Sequence, residues 1–180
     1  MQKIFTTNIE KDTLENMCFR KVIQTNKNQQ LVLMSLKPGE DIPMEVHPND
    51  DQFIRIEKGR GRVVIGKDGE QKKESDLGDG SIVMIPAGTY HQIINVSKTD
   101  NLKLYTLYSP PDHKPGIINI TKPNKDEGEE EKYTHIDPKV CISNQLTQKA
   151  GFSKTYERKY MKYKNKYLAL KNIANNNYLL

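Results

Sequence analysis

Two histidines, one glutamate and one glutamine stand at spacings that suit a single bound cation. Glu45 and His47 are two residues apart, so on an extended strand both side chains leave the same side of the backbone. In the run that follows, Gln52, Ile54 and Ile56 share one face, while Phe53, Arg55 and Glu57 share the other. A glutamine in line with two isoleucines needs something inside to bind. His91 arrives on a later extended run, His91–Val96. Imidazoles and a carboxylate converging in an apolar interior suit a first-row divalent ion, and glutamine would add a neutral oxygen ligand.

Other chemistry-bearing residues carry weaker signals. His113, in Pro-Pro-Asp-His-Lys-Pro-Gly, reads as an exposed loop histidine near a barrel mouth, and His135 follows an acidic stretch. Tyr90 falls on the opposite strand face from His91 and reads as packing. Arg55, Arg60 and Arg62 would attract a phosphate if they gathered at one rim; a solvated strand face is the simpler reading. No nucleophile triad, phosphate-cradling glycine loop or zinc-finger cysteine set is present.

The elements that must position these residues are strands. Phe19–Thr25, Gln30–Lys37, Gln52–Lys58, Arg62–Gly66, Ser81–Ile85, His91–Val96 and Leu102–Tyr108 are short and rich in Val, Ile, Leu and Tyr. Turn formers separate them at Pro38-Gly39, Lys58-Gly59, Asp68-Gly69, Gly78-Asp79-Gly80 and Pro110-Pro111. No helical period intervenes, which favours an all-β barrel or sandwich over alternating α/β units.

Composition divides the chain. The whole carries net charge +5, but residues 1–144 are net −2 and residues 145–180 net +7. The basic character belongs to the tail, so a nucleic-acid role cannot be read from the overall pI of 9.0. The expected organisation is a barrel over 1–120, a charged linker over 121–152 and a basic amphipathic helix over 153–180. In that tail Tyr156, Tyr160, Tyr163, Tyr167, Leu170 and Ala174 make one stripe among lysines. The stripe either packs on the barrel or presents a basic helix to nucleic acid, an acidic surface or a partner helix. No apolar run is long enough to span a membrane, and the first residues lack a signal-peptide core, so a cytoplasmic location is expected. With that location, Cys18 and Cys141 are expected as two reduced thiols.

The spacing of the glycines and ligands resembles the cupin superfamily. The second cupin motif, G(X)5PXG(X)2H(X)3N, is matched at Gly80, Pro86, Gly88, His91 and Asn95. The first, G(X)5HXH(X)3–4E(X)6G, is matched in spacing from Gly39 to Gly59, with Glu45 in place of the first His and Gln52 in place of the Glu. That exchange keeps one carboxylate in the site, and by this resemblance the ligands are Glu45, His47, Gln52 and His91, with Asp51 as the substitute if the strand slips by one residue. The runs EVHPNDDQFIRIEKG, IPAGTYHQIIN and LKLYTLYSPPDHKPG look like the single-domain cupins described as mannose-6-phosphate isomerase-like, over roughly residues 17–120. The tail segment KYMKYKNKYLALKNI resembles tails on proteins of large amoeba-infecting DNA viruses, which would place the chain in a host cell or virion.

The resemblance implies a jelly-roll-like barrel holding one divalent metal (Mn, Fe, Zn or Ni), a small-molecule substrate such as a sugar phosphate, and a homodimer. It points to a sugar or sugar-phosphate isomerase, with Glu45 as the catalytic base if it is not committed to the metal. An Fe(II)-dependent dioxygenase and a non-catalytic small-molecule-binding cupin are the alternatives.

Overall fold

The computed structural model describes residues 4–67, 69–123 and 141–142. Most of the linker expected over 121–152, the whole helix expected over 153–180, and His135 lie outside the described residues. What is described is β-rich, as expected. A short helix, α1 (Ile9–Glu15), is followed by β1 (Arg20–Thr25), β2 (Gln30–Leu36), β3 (Asp41–Glu45), β4 (Asp51–Lys58) and β5 (Gly61–Ile65). Then come β6 (Lys73–Leu77), β7 (Ile82–Ile85), β8 (His91–Asn95), β9 (Leu102–Ser109) and β10 (Ile118–Asn119). All pairings are antiparallel. A six-stranded sheet runs β10-β1-β2-β9-β4-β7, and a four-stranded sheet runs β3-β8-β5-β6.

Alternation along each strand sends one set of side chains between the sheets. Val32, Met34, Ile54, Ile56 and Leu104 from the larger sheet meet Ile42, Val63, Leu77 and Ile93 from the smaller in one core. Each such side chain, removed from water, contributes about 1.5–3 kcal/mol before chain entropy is charged against it. Directly opposed residues in an antiparallel ladder share a face. On the larger sheet this makes three inward rows. The first is Gln30–Tyr108–Gln52–Ile85, the second Val22–Val32–Thr106–Ile54–Val83, and the third Asn119–Arg20–Met34–Leu104–Ile56. The core is therefore apolar at its middle and polar at one end, with polar side chains set among the apolar rows as well.

Two glycines position the site. Gly59 adopts φ +111°, and an added Cβ would stand 2.8 Å from the Asn101 carbonyl oxygen, so no other residue fits the β4–β5 turn. Gly88 adopts φ +78° in the turn before β8, and its N–H donates to the His47 carbonyl at 2.7 Å. That bond ties the loop carrying His47 to the turn that launches His91.

The outer face of the larger sheet is covered by α1 and the residues after it. Asn8 caps the helix, its side chain accepting from the Lys11 N–H at 3.0 Å. Lys103 of β9 is buried beneath this strap, its Nζ donating to the Asn16 carbonyl and to Met17 Sδ.

The cysteines depart from expectation. Cys18 and Cys141, 123 positions apart in sequence, form a disulfide with Cα atoms 5.0 Å apart. Sequence distance carried no sign of this. The chain returns at residue 142 to form a bridge with Asn16, and the Met17 N–H donates to the Cys141 carbonyl at 2.7 Å. That pairing brings the two sulfurs together.

Candidate metal centre

Glu45 ends β3 and is opposed by His91 at the start of β8, beyond a register shift between Ile42 and Glu45. Opposed residues share a face, and Ile42 and Ile93 of the same ladder are core, so both side chains point inward. His91 is 1% exposed. Its Nδ1 lies 2.8 Å from the Thr89 carbonyl oxygen, which only an N–H can approach, so in the neutral ring the lone pair is on Nε2. Nε2 is buried and has no hydrogen-bond partner. It lies 3.5 Å from Glu45 Oε1.

His47 does not sit on the strand with Glu45, as simple alternation expects. β3 stops at Glu45, and His47 lies in the loop that follows. It nonetheless turns back to the same point, its Nε2 3.2 Å from Glu45 Oε1 and its ring centroid 5.6 Å from that of His91. Its other nitrogen, Nδ1, faces two carboxylates, Asp112 Oδ1 at 3.4 Å and Asp50 Oδ2 at 3.6 Å. A carboxylate behind the outer nitrogen fixes the ring and raises the basicity of the inner one, the usual arrangement behind a metal-ligating histidine.

Gln52 heads β4 on the inward row. Its Nε2 donates to the Tyr108 hydroxyl at 3.0 Å, leaving Oε1 buried without a donor. The Glu45, His47 and His91 donor atoms all lie within 4.8 Å of one another. Two ligands about 2.1 Å from a common ion are separated by about 3.0–3.4 Å at tetrahedral or octahedral angles. The 3.2 and 3.5 Å separations match that. The unpartnered atoms also suit a cation: one imidazole lone pair and one amide oxygen, both acceptors.

Charge reinforces the grouping. Burial alone would push the Glu45 carboxyl up, but the His47 hydrogen bond and the charge of His47, with the His91 ring beside it, outweigh it and hold its pKa at about 2. Burial alone would push His47 down, but Asp112 and Glu45 raise its pKa to about 10.

The remaining expectations divide. Asp51 is no substitute ligand. It is exposed, opposed to Ser109, and its Oδ1 accepts from the Ala87 N–H at 2.9 Å, bracing the turn before β8. His113 is not an exposed loop residue. Its side chain is only 10% exposed, its ring stands edge-on to Tyr108 at 5.0 Å, and its Nδ1 lies 3.3 Å from Asp112 Oδ2. The Gln30 side chain clamps its backbone at both N–H and carbonyl. The arginines of β4 and β5 do not gather, since Arg55 pairs with Glu57 and Arg62 with Glu74 and Asp76. Tyr90 lies under the Lys67 ammonium, away from the ligands. Sequence reasoning missed Asp50, Asp112, Tyr108 and Gln30. Only the cross-strand register and the return of the loop after β9 bring them in.

An antiparallel two-sheet β barrel that gathers two imidazoles and a carboxylate at one end defines the class of protein. The comparisons place the chain within it. Residues 32–108 match the family model described as Cupin domain. The chain is 44% identical over 169 residues to the uncharacterized protein L612 of Acanthamoeba polyphaga mimivirus, covering 94% of this chain and 91% of that one. It is 46% identical over 121 residues to the uncharacterized protein YrkC of Bacillus subtilis, covering 67% of this chain and 64% of YrkC. Among solved structures, BH2720 of Bacillus halodurans superposes with TM-score 0.64 at 40% identity, covering 67% of this chain and 91% of BH2720. The chain belongs to the cupin family.

Proposed function

We propose that Glu45, His47, His91 and Gln52 hold one divalent metal ion, and that the protein is a metal-dependent isomerase of a sugar or sugar phosphate. The observation that carries the metal reading is the pair of buried, unpartnered acceptors, His91 Nε2 and Gln52 Oε1, beside a carboxylate that already draws both imidazoles. When bound, the ion would polarise a carbonyl or hydroxyl oxygen of the substrate. The chain's own residues do the rest. The Thr89 carbonyl fixes the His91 tautomer, Asp112 and Asp50 orient His47, and the Tyr108 hydroxyl holds the Gln52 amide so that its oxygen faces inward. Glu45 lies between two imidazoles and serves as ligand in this reading, which leaves the proton transfer between adjacent carbons to another group.

Elemental analysis of the purified protein is expected to give about one metal ion per chain, and both His47→Ala and His91→Ala are expected to lose it. Mannose 6-phosphate and fructose 6-phosphate should interconvert with at least one of Mn, Fe, Zn or Ni. A flat assay with all four removes the isomerase reading while leaving the metal centre standing. The same donor set, two histidines and one carboxylate, favours an Fe(II) dioxygenase as second reading. Oxygen consumption with Fe(II) and a small organic substrate would select it, since an isomerase consumes none.

A further inference from the structure

The third inward row of the larger sheet holds a charge that the metal centre does not use. Arg20 of β1 is opposed by Met34 on one side and Asn119 on the other, and Met34 is fully buried core. Arg20 therefore leaves the strand on the inward face, and the residue is half-buried. Its Nε is buried and has no hydrogen-bond partner. Its guanidinium carbon lies 6.0 Å from the Phe19 ring centroid, a weak contact at that distance. Arg20 is half-buried, and an Nε–H taken out of water without an acceptor carries a cost that a bound acceptor would relieve.

The groups around it are unsatisfied in the same way. Thr106 Oγ1, on the neighbouring row, and Asn119 Oδ1, directly opposed to Arg20, are both buried without a partner. Arg20 is also within electrostatic reach of the wall of the candidate metal site. Its positive charge acts on Tyr108, the residue that holds Gln52, and on His113, which packs against Tyr108.

We infer that Arg20 is the anchor for an oxyanion of the substrate, a carboxylate or a phosphate. Thr106 donates to the same group, and Asn119 Oδ1 accepts from a neighbouring hydroxyl. The planar fork of an arginine matches either oxyanion in two-point contact, which a lysine would not reproduce. The ligand class is thus a small, hydroxyl-bearing anion that reaches from Arg20 toward Glu45, His47 and His91. This deepens the isomerase reading and rests on it for the second end of the ligand, but the Arg20 end stands without a metal.

The test titrates inorganic phosphate and, separately, succinate into the full chain by calorimetry, both as purified and after chelator treatment. Wild type, Arg20→Met, Arg20→Lys and His91→Ala are compared, with metal content measured on each. The expected result is that one of the two anions binds wild type with or without chelator treatment, and that Arg20→Met weakens it by about tenfold or more while keeping wild-type metal content. Which anion binds tells phosphate from carboxylate. Arg20→Lys should fall between wild type and Arg20→Met; should Arg20→Met fail to fold, this variant carries the comparison, with wild-type affinity in it overturning the assignment. Equal affinity in Arg20→Met, or no binding of either anion by wild type at millimolar concentration, overturns it. So does binding that persists in Arg20→Met but vanishes in His91→Ala, since the anion then sits on the metal alone. Arg20-dependent binding in a protein that takes up no metal would keep the anchor and sink the metal reading instead.

Discussion

Gln52 shows how one side chain can conflict with the fold until its ligand arrives. Its amide nitrogen is satisfied by Tyr108, while its oxygen is buried without a donor, a state that costs about 1–3 kcal/mol in a protein interior. Gln52→Leu removes that cost together with the proposed ligand. The variant is therefore expected to melt at or above the wild-type temperature in the presence of chelator. With saturating metal it should melt below wild type, because it gains less from binding. Thermal denaturation with and without the ion checks both halves; a variant that gains as much from metal as wild type would remove Gln52 from the ligand set. The glutamine was legible in sequence because it broke an apolar alternation. Glu45, His47 and His91 were legible because the glycine and proline spacing around them is that of a known motif. Arg20, Thr106 and Asn119 were not, since their meaning depends on which residues oppose them across strands far away in the chain.

Elements were legible where burial imposes alternation. The expected strands from Phe19 to Tyr108 correspond to β1, β2, β4, β5, β7, β8 and β9 within about a residue at most ends. β6, Lys73-Glu-Ser-Asp-Leu, was not, because it is an edge strand exposed at four of its five residues and so has no apolar face to announce it. β3 was hidden by Pro43 and by its shortness, and α1 by having only seven residues. The strap formed by α1 and the residues after it has its own electrostatic consequence. Burial lowers the Lys103 pKa to about 8, with Lys58 adding to the effect. The folded state thus disfavours the protonated amine relative to the unfolded chain, whose lysine titrates near 10.4. Below pH 8 the penalty is complete, and it disappears as pH rises from about 8 to 10.4, so wild type should gain stability over that interval. Relative to Lys103→Met, the gain is expected to be on the order of 2 kcal/mol in chemical denaturation. A constant difference between the two proteins across that range would mean the amine stays hydrated.

At the scale of the whole molecule, the described barrel begins and ends at a covalent closure. Cys18 precedes β1 and Cys141 follows β10, so all the described strands lie between them. A crosslink spanning 123 residues removes much of the freedom of the unfolded chain. Its loss is expected to cost about 2–4 kcal/mol. Cys18→Ser with Cys141→Ser should therefore unfold at lower denaturant than wild type while keeping the metal, whose ligands lie on other elements. Unfolding midpoints under oxidising conditions, paired with metal analysis, check this; coincident midpoints would show that the bond adds nothing. No helix among the described residues is long and apolar enough to cross a membrane. The bond also changes what a protease can accomplish. Because the backbone from Cys18 to Cys141 closes on itself through sulfur, a single cut in any turn between strands opens a circle rather than severing a line. The two arms stay tethered until a reductant frees them.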